Sequence, residues 1–313
     1  MEGQPLLVFG TTMILEDDNM EVVYGHTDSI YVKVDSIESA FSSLEQINKE
    51  VRELFPNLLN LEEHPVVLEF EKYYESLGVG VTKNRNAGLI SWEDGVWLEE
   101  PKFTLTGFTS KRISEAVMAK EVQTVALNMW VSGKSEKEIV DYTKSVYQKV
   151  LKGEIDFREV VKRTRLKPER FQVKCSCNKK YDIRTIEWTD GEFYCSKCAK
   201  HPSTFTTMKG KKPNIGEGIV GVLYSMQERN LSFQDSYVFL RIVPSGFYTN
   251  PLTGVRKEAN YVSGNTLSEL EGFTPDWSHY AEQVVSKVQP IFDAMGWDTK
   301  QIKKQQRAFD EWW

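Results

Sequence analysis

The sequence predicts an α+β protein, and three observations carry that prediction. The stretch "EVVYGHTDSIYVKVD" at 21–35 sets two runs of β-branched and aromatic residues around a short polar turn, the pattern of a β-hairpin. The next stretch, "DSIESAFSSLEQINKEVREL", spaces Ile37, Phe41, Leu44, Ile47, Val51 and Leu54 at three- and four-residue steps, which places them on one face of a helix. All four cysteines fall in a single short region, "CSCNKKYDIRTIEWTDGEFYCSKC", a spacing that suits a small metal-held element.

Length and composition bound what the chain can be. Its 313 residues, 40% hydrophobic and 12% aromatic, suffice for one large domain or two modest ones with cores of their own. No run approaches the roughly 18 uninterrupted apolar residues of a membrane span. The N-terminal "MEGQPLLVFGTTMILEDD" has no basic start ahead of its apolar run, so the expected location is intracellular, with no membrane partner. The net charge of −6 is unevenly spread. Between Phe157 and Pro213 about fifteen Lys and Arg stand against six acids, a basic island able to face phosphates or to be neutralised by carboxylates from elsewhere in the fold.

The first hairpin would present His26, Thr27 and Asp28 at its tip. A carboxylate on a turn backed by β-branched packing is well placed to hold a divalent cation, because strands fix a ligand better than loops do. A solvated Asp that only shapes the turn is the simpler alternative. Within the basic island, Cys175 and Cys177 form one close pair and Cys195 and Cys198 another. The "YDIRTIEWTDGEFY" between them reads as a hairpin with an Asp-Gly turn, and four thiolates so arranged match the tetrahedral set of a structural zinc ribbon. An iron–sulfur cluster and disulfides are the competing uses, the latter disfavoured without a secretion signal. His201 is a spare beside four thiolates.

The wording of the turn adds a family resemblance. "YGHTDS" resembles the YGDTDS signature of family B DNA polymerases, which closes the palm hairpin and supplies a metal-binding carboxylate. The resemblance implies a catalytic tip at His26, Thr27 and Asp28, with Asp28 holding Mg²⁺ or Mn²⁺. His26 replaces the first aspartate of the signature, and a neutral imidazole is a poor Mg²⁺ ligand.

Further along, "LEFEK" is similar to a strand of that family, with Glu69 and Glu71 either near the metals or balancing Lys72, and "KNRNAG" to its KKRYAG segment. Lys83 and Arg85 are thereby implied as phosphate contacts. "GFTSKRISEAVMAKEVQTVALNMW" resembles the segment that leads into the thumb, with Lys111 and Arg112 at its basic positions and a helix expected to enter at Ser110. A second helix is expected near Ser135, with Glu138 three residues on. "IGEGIVGVLYSM" reads as a glycine-punctuated strand, and "PDWSHYAEQVVSKVQPIFDAMGWD", with Tyr280, resembles the closing thumb helices.

These matches run in the family's order from about 20 to 300. They imply an antiparallel palm-sheet fragment over 1–106, then an α-rich thumb over 107–300 with a zinc-ribbon insertion at about 171–202. The family's exonuclease, first palm aspartate motif and fingers helix are not found in the chain. Two-metal phosphoryl transfer needs more than one carboxylate. The expectation is therefore the small subunit of a split archaeal or archaeal-virus enzyme, whose large partner chain supplies the rest and binds primer–template DNA and dNTP with it. Residues 301–313 end in "KKQQRAFDEWW", where Gln306, Phe309, Trp312 and Trp313 resemble the peptides that bind sliding clamps (PCNA), a partner expected here. The competing functional readings are a catalytically degenerate accessory that binds DNA and clamp, and a zinc-ribbon nucleic-acid module fused to unrelated folds.

Overall fold

In the computed structural model, residues 21–26, 29–55, 57–64, 66–82, 84–112, 114–165, 169, 171–187, 193–201, 204–213, 217–234, 236–250 and 253–304 are described. The chain divides into two compact units. One comprises the residues up to Phe108 together with Leu127–Ser135 and Asp293–Trp297, and the other Thr109–Ala126, Glu136–Phe292 and the residues from Asp298.

The first unit opens with strands β1 (Val22–His26) and β2 (Ser29–Val32), an antiparallel hairpin in which His26 pairs with Ser29. Helix α1 (Ile37–Leu54) follows, capped by Ser36, whose hydroxyl accepts from Ser39 N–H at 3.1 Å. Its Ile47 and Val51 bury against Val22, Ile30 and Val32 of the hairpin, as the apolar spacing requires. Phe41, on the same helix, stays half exposed in an aromatic group with Phe70 and Trp92, at 4.8 and 5.6 Å between ring centres.

Strands β3 (Lys72–Val79), β4 (Asn86–Glu93) and β5 (Val96–Thr106) form an antiparallel sheet with β4 central and largely buried. The expected strand over "LEFEK" begins only at Lys72. The physical reason lies in Asn48 of α1, whose side-chain amide takes both backbone groups of Leu68: Leu68 N–H donates to Oδ1 at 2.7 Å and Nδ2 donates to Leu68 O at 2.9 Å. A side chain thus satisfies this backbone in place of a neighbouring strand.

In the second unit, helices α3 (Glu136–Leu151) and α5 (Trp277–Met295) contribute apolar faces that include Ile139, Val150, Val284, Val288 and Phe292. Strands β6 (Lys162–Arg165), β10 (Ser236–Arg241) and β13 (Tyr261–Gly264) pair antiparallel with β10 in the middle. Tyr280 of α5 accepts from Arg241 N–H at 2.7 Å, and burial pushes its phenol well above the usual range. A small sheet of β7 (Gln172–Lys174), β8 (Lys180–Asp182) and β9 (Thr206–Thr207) carries the cysteines, and β11 (Phe247–Thr249) and β12 (Arg256–Glu258) make a separate hairpin.

Two expectations are corrected here, and a third falls partly outside the described residues. Helix α2 (Val117–Val131) starts seven residues after Ser110, which instead lies in a 3₁₀ turn, Thr109–Lys111. Thr109 Oγ1 and Ser110 N–H both donate to Gln123 Oε1, at 3.0 and 2.9 Å, so a side chain holds this stretch in place of a helical ladder. The "IGEGIVGVLYSM" segment forms not a strand but helix α4 (Glu217–Glu228). Gly221 serves close packing: a Cβ there would lie 2.7 Å from the Tyr261 ring. The third concerns the hairpin expected between the cysteine pairs: β8 pairs with β7, the strand ahead of the cysteines, and runs into a 3₁₀ turn, Ile183–Thr185, while the Asp190–Gly191 turn lies outside the described residues.

Candidate nucleic-acid interface and candidate metal centre

Strand β1 and the "KNRNAG" turn are linked within the first unit. Tyr24 of β1 donates its hydroxyl to Asn84 Oδ1 at 3.2 Å, and Tyr24, Tyr31 and Tyr74 form a run of rings at 5.4 and 6.0 Å. Burial, followed by the neighbouring Tyr31, pushes the Tyr74 phenol up to about 12, so it stays neutral and packs as an aromatic. Asn84 adopts a left-handed φ of 62°, which Asn tolerates better than most residues. Gly107, at φ 74°, crosses the turn so closely that a Cβ would sit 1.8 Å from Asn84 O. Gly88 has a similar reason, since a Cβ would meet the Tyr74 ring at 2.6 Å.

The implied site residues are distributed accordingly. His26 ends β1, while Thr27 and Asp28, which join it to Ser29, lie outside the described residues, as does Lys83. Arg85 is half buried, and its carbonyl accepts from Gly80 N–H at 2.8 Å. Glu71 is taken up by Lys72 at 2.6 Å. Lys111 and Arg112 are exposed, and neither makes an ion pair among the described residues. Gln306, Phe309, Trp312 and Trp313 lie outside the described residues.

The loop bearing Lys111 and Arg112 is held by a polar network that local spacing gave no hint of. Glu115, almost buried, accepts from Lys162 at 2.8 Å and from Lys287 at 2.5 Å. Lys287 also donates to Thr109 Oγ1 at 3.1 Å, and its own carbonyl accepts from Gln123 Nε2 at 3.1 Å. Burial opposes ionisation of Glu115, but the two ammonium groups outweigh it and hold the carboxyl below its ordinary range. Glu115 and Lys287 are 172 residues apart, so only the folded chain brings them together.

The four cysteines do converge. Their Sγ atoms all lie within 4.8 Å of one another, with Cys175–Cys198 at 3.4 Å and Cys177–Cys195 at 3.5 Å. A disulfide needs about 2.05 Å between sulfurs, and the thiols are free. Tetrahedral ligation at about 2.3 Å places sulfurs about 3.8 Å apart, close to what is observed. The set therefore fits one tetrahedral metal and not disulfides.

Each cysteine pair sits on a tight backbone turn. Cys175 N–H donates to Lys179 O and Asn178 N–H to Cys175 O, and Cys195 N–H donates to Lys200 O and Ala199 N–H to Cys195 O. The residue after each pair is left-handed, Asn178 at φ 67° and Ala199 at φ 54°. Two of the thiols, Cys175 and Cys195, are biased toward ionisation, while Cys198, where the Lys200 N–H is outweighed by burial and by the neighbouring thiols, is pushed up to about 12. The Cys177 N–H lowers Cys175. At Cys195 burial opposes the charge, but the Tyr181 hydroxyl at 3.1 Å and the N–H groups of Lys197 and Cys198 bring it down to about 6.

Lysines cross between the turns, with Lys179 reaching Ser196 and Lys200 reaching Ser176 at 3.0 Å. A divalent metal on four thiolates carries a charge of −2, so part of the basic island has a local counter-charge to answer. His201 stands outside the thiol cluster. The element is not a loose appendage, because Cys175 and Cys195 share one core with Val173, Phe205, Leu223, Met226 and Tyr248. Gln227 of α4 donates to the carbonyls of Arg184 and Ile186 at 3.0 and 2.6 Å.

Comparison with known proteins settles the family. The sequence model of DNA polymerase family B matches residues 7–294. The chain belongs to DNA polymerase family B. A DNA polymerase of Archaeoglobus fulgidus is 27% identical over 161 residues, 51% of this chain and 18% of that protein. DNA polymerase 2 of Aeropyrum pernix is 28% identical over 142 residues, 45% and 15% of the respective chains. The catalytic subunit of DNA polymerase delta of Plasmodium falciparum is 28% identical over 151 residues, 46% and 12%. The structure of the family B DNA polymerase from Pyrobaculum calidifontis aligns with 92% of this chain and 28% of its own, with a TM-score of 0.48 and 15% identity. The matches thus span less than a fifth of the length of the curated relatives. Family membership over 7–294 replaces the reading of a zinc-ribbon module fused to unrelated folds. Among the described residues, no helix is long and apolar enough to cross a membrane.

Proposed function

We propose that this chain supplies the catalytic palm hairpin and the thumb of a family B DNA polymerase, and that it works with a large polypeptide carrying exonuclease, fingers and the remaining palm. The family match over 7–294 carries this reading, because it spans the hairpin tip, the Lys83–Arg85 turn and the Lys111–Arg112 loop in one collinear run. On this reading 1–106 serve as palm, 107–300 as thumb with a zinc-ribbon element at about 171–202, and 301–313 as a clamp-binding tail through Gln306, Phe309, Trp312 and Trp313. Zinc is the proposed occupant of the Cys175, Cys177, Cys195 and Cys198 set. The setting is intracellular replication, with primer–template DNA, dNTP and a sliding clamp as partners.

Asp28 offers the oxygen donor that Mg²⁺ requires, whereas His26 offers nitrogen and suits Mn²⁺ better. A divalent cation held by Asp28 and by carboxylates of the large chain would neutralise the charge that develops on the transferring phosphoryl group. Lys83, Arg85, Lys111 and Arg112 grip backbone phosphates, which positions the primer end without reading sequence. Glu115 and Gln123 set the loop from which Lys111 and Arg112 project.

The Lys111→Ala/Arg112→Ala double variant tests the grip. Losing two phosphate contacts should flatten the log–log dependence of primer–template affinity on salt by about 1.8, with Lys49→Ala, an exposed lysine on α1, as a basic-residue control. An unchanged slope would remove these residues from the interface. A second reading, a non-catalytic accessory that binds DNA and clamp, is favoured by one observation: an imidazole stands where the signature has its first carboxylate.

A further inference from the structure

In the second unit, β10, β13 and the β11–β12 hairpin line a half-open cavity of about 380 Å³ that none of the roles above uses. That volume falls within the range of small-ligand sites, roughly 300–1,000 Å³. Its lining pairs cations with rings. The Arg256 guanidinium lies 4.3 Å over the Phe247 ring across the β11–β12 pair, and the Arg241 guanidinium lies 5.8 Å over Tyr261. Asp276 accepts from Arg241 Nε at 3.1 Å, which fixes that guanidinium and leaves it further N–H donors. Lys257 adds a third cation, against the single lining carboxylate of Glu258. Arg256 has no carboxylate partner among the described residues, and Phe247 is 58% exposed, an unusual state for a large ring.

We propose that this cavity takes one unstacked nucleotide of single-stranded DNA, its base against the Phe247–Arg256 pair and its phosphate toward Arg241 and Lys257. The proposal rests on the polymerase reading only in naming DNA as the polyanion. Ring and guanidinium faces accept any base, and fixed cations track the backbone, which together is the chemistry of sequence-tolerant single-strand binding. The half-open recess has room for one nucleotide, and its ring and guanidinium faces serve a base that is out of the duplex stack. Tyr248, on the same strand as Phe247, stacks on Tyr224 at 4.3 Å and 12° and belongs to the core that holds the cysteines, so the hairpin is anchored and not a free flap.

The test is fluorescence anisotropy with labelled oligo(dT) and, separately, labelled blunt duplex, on the full chain and on Phe247→Ala/Arg256→Ala. Both side chains are exposed, and an unchanged unfolding midpoint verifies the variant's fold. The proposal predicts about tenfold weaker oligo(dT) binding by the variant with duplex affinity changed less than twofold, and competition by dTMP well ahead of inorganic phosphate. Equal oligo(dT) affinity in variant and wild type would overturn it, as would equal losses for both DNAs or equal competition by inorganic phosphate. Lys111→Ala/Arg112→Ala, run in parallel, should weaken duplex binding while sparing oligo(dT), so failure of the polymerase grip and failure of the cavity register separately.

Discussion

Replacing Glu115 by Ala should be one of the costliest single changes in the second unit. Its carboxylate side chain is 9% exposed, and the partners Lys162 and Lys287 are 26% and 12% exposed. At an effective dielectric near 20, contacts at 2.8 and 2.5 Å are worth roughly 6 kcal/mol each before desolvation is charged against them. Desolvation cancels most of that, so the net worth of the intact group is small. The asymmetry appears on truncation, when two ammonium groups remain in a site shaped for their partner, a loss of about 3–5 kcal/mol for a fully buried group. Lys162 keeps some water, which points to the lower end, about 3 kcal/mol.

For a unit of this size 3 kcal/mol corresponds to a midpoint roughly 6–12 °C lower. Urea denaturation followed by circular dichroism reads it directly, and the double variant Glu115→Leu/Lys287→Met should recover about half or more, because the stranded charge goes with its partner. The sign with pH also follows. The folded carboxyl titrates below its unfolded value near 4.3, so its contribution is complete above that value and fades as pH falls through the lower folded one. The gap between wild type and Glu115→Ala should therefore narrow in acid. A cost under about 0.5 kcal/mol at pH 7, or a gap that does not narrow, would refute the reasoning.

Other expectations are as direct. Ala199→Gly relieves a left-handed alanine and should stabilise the cysteine element by about 0.5–1 kcal/mol, read as slower proteolysis of the metal-loaded chain. Gly221→Val drives side-chain atoms into the Tyr261 ring and should cost at least about 2 kcal/mol in urea denaturation. Metal analysis should find one zinc per chain. Stripping it should unfold about 171–202, since binding energy there is folding energy, and a limited-proteolysis pattern unchanged after verified removal would contradict that.

Some of this was legible in the sequence and some was not, for physical reasons. The hairpin and α1 follow from period-2 and period-3.6 patterns with a serine cap, all local signals. The cysteine set was legible because metal ligation imposes spacing on the chain itself. "LEFEK" looked like a strand because its side chains alternate, yet Asn48, twenty residues away, supplies its backbone partners. "IGEGIVGVLYSM" misled because its glycines lower helix propensity, while the fold needs Gly221 against Tyr261. The delayed start of α2 and the Glu115 network depend on Gln123, Lys162 and Lys287, and no local window contains that pairing. The Arg256–Phe247 pair was equally hidden, since its members stand nine positions apart in sequence.

The central claim is that this chain completes a polymerase active site through Asp28. The measurement that tests it most directly is template-directed primer extension, with Mg²⁺ and with Mn²⁺, by this chain mixed with a same-genome protein carrying exonuclease and fingers, comparing wild type with Asp28→Ala. The account predicts synthesis that requires both chains and disappears with Asp28→Ala. Equal synthesis by the two versions, or none by either although the chains bind each other, would contradict it and leave the non-catalytic accessory.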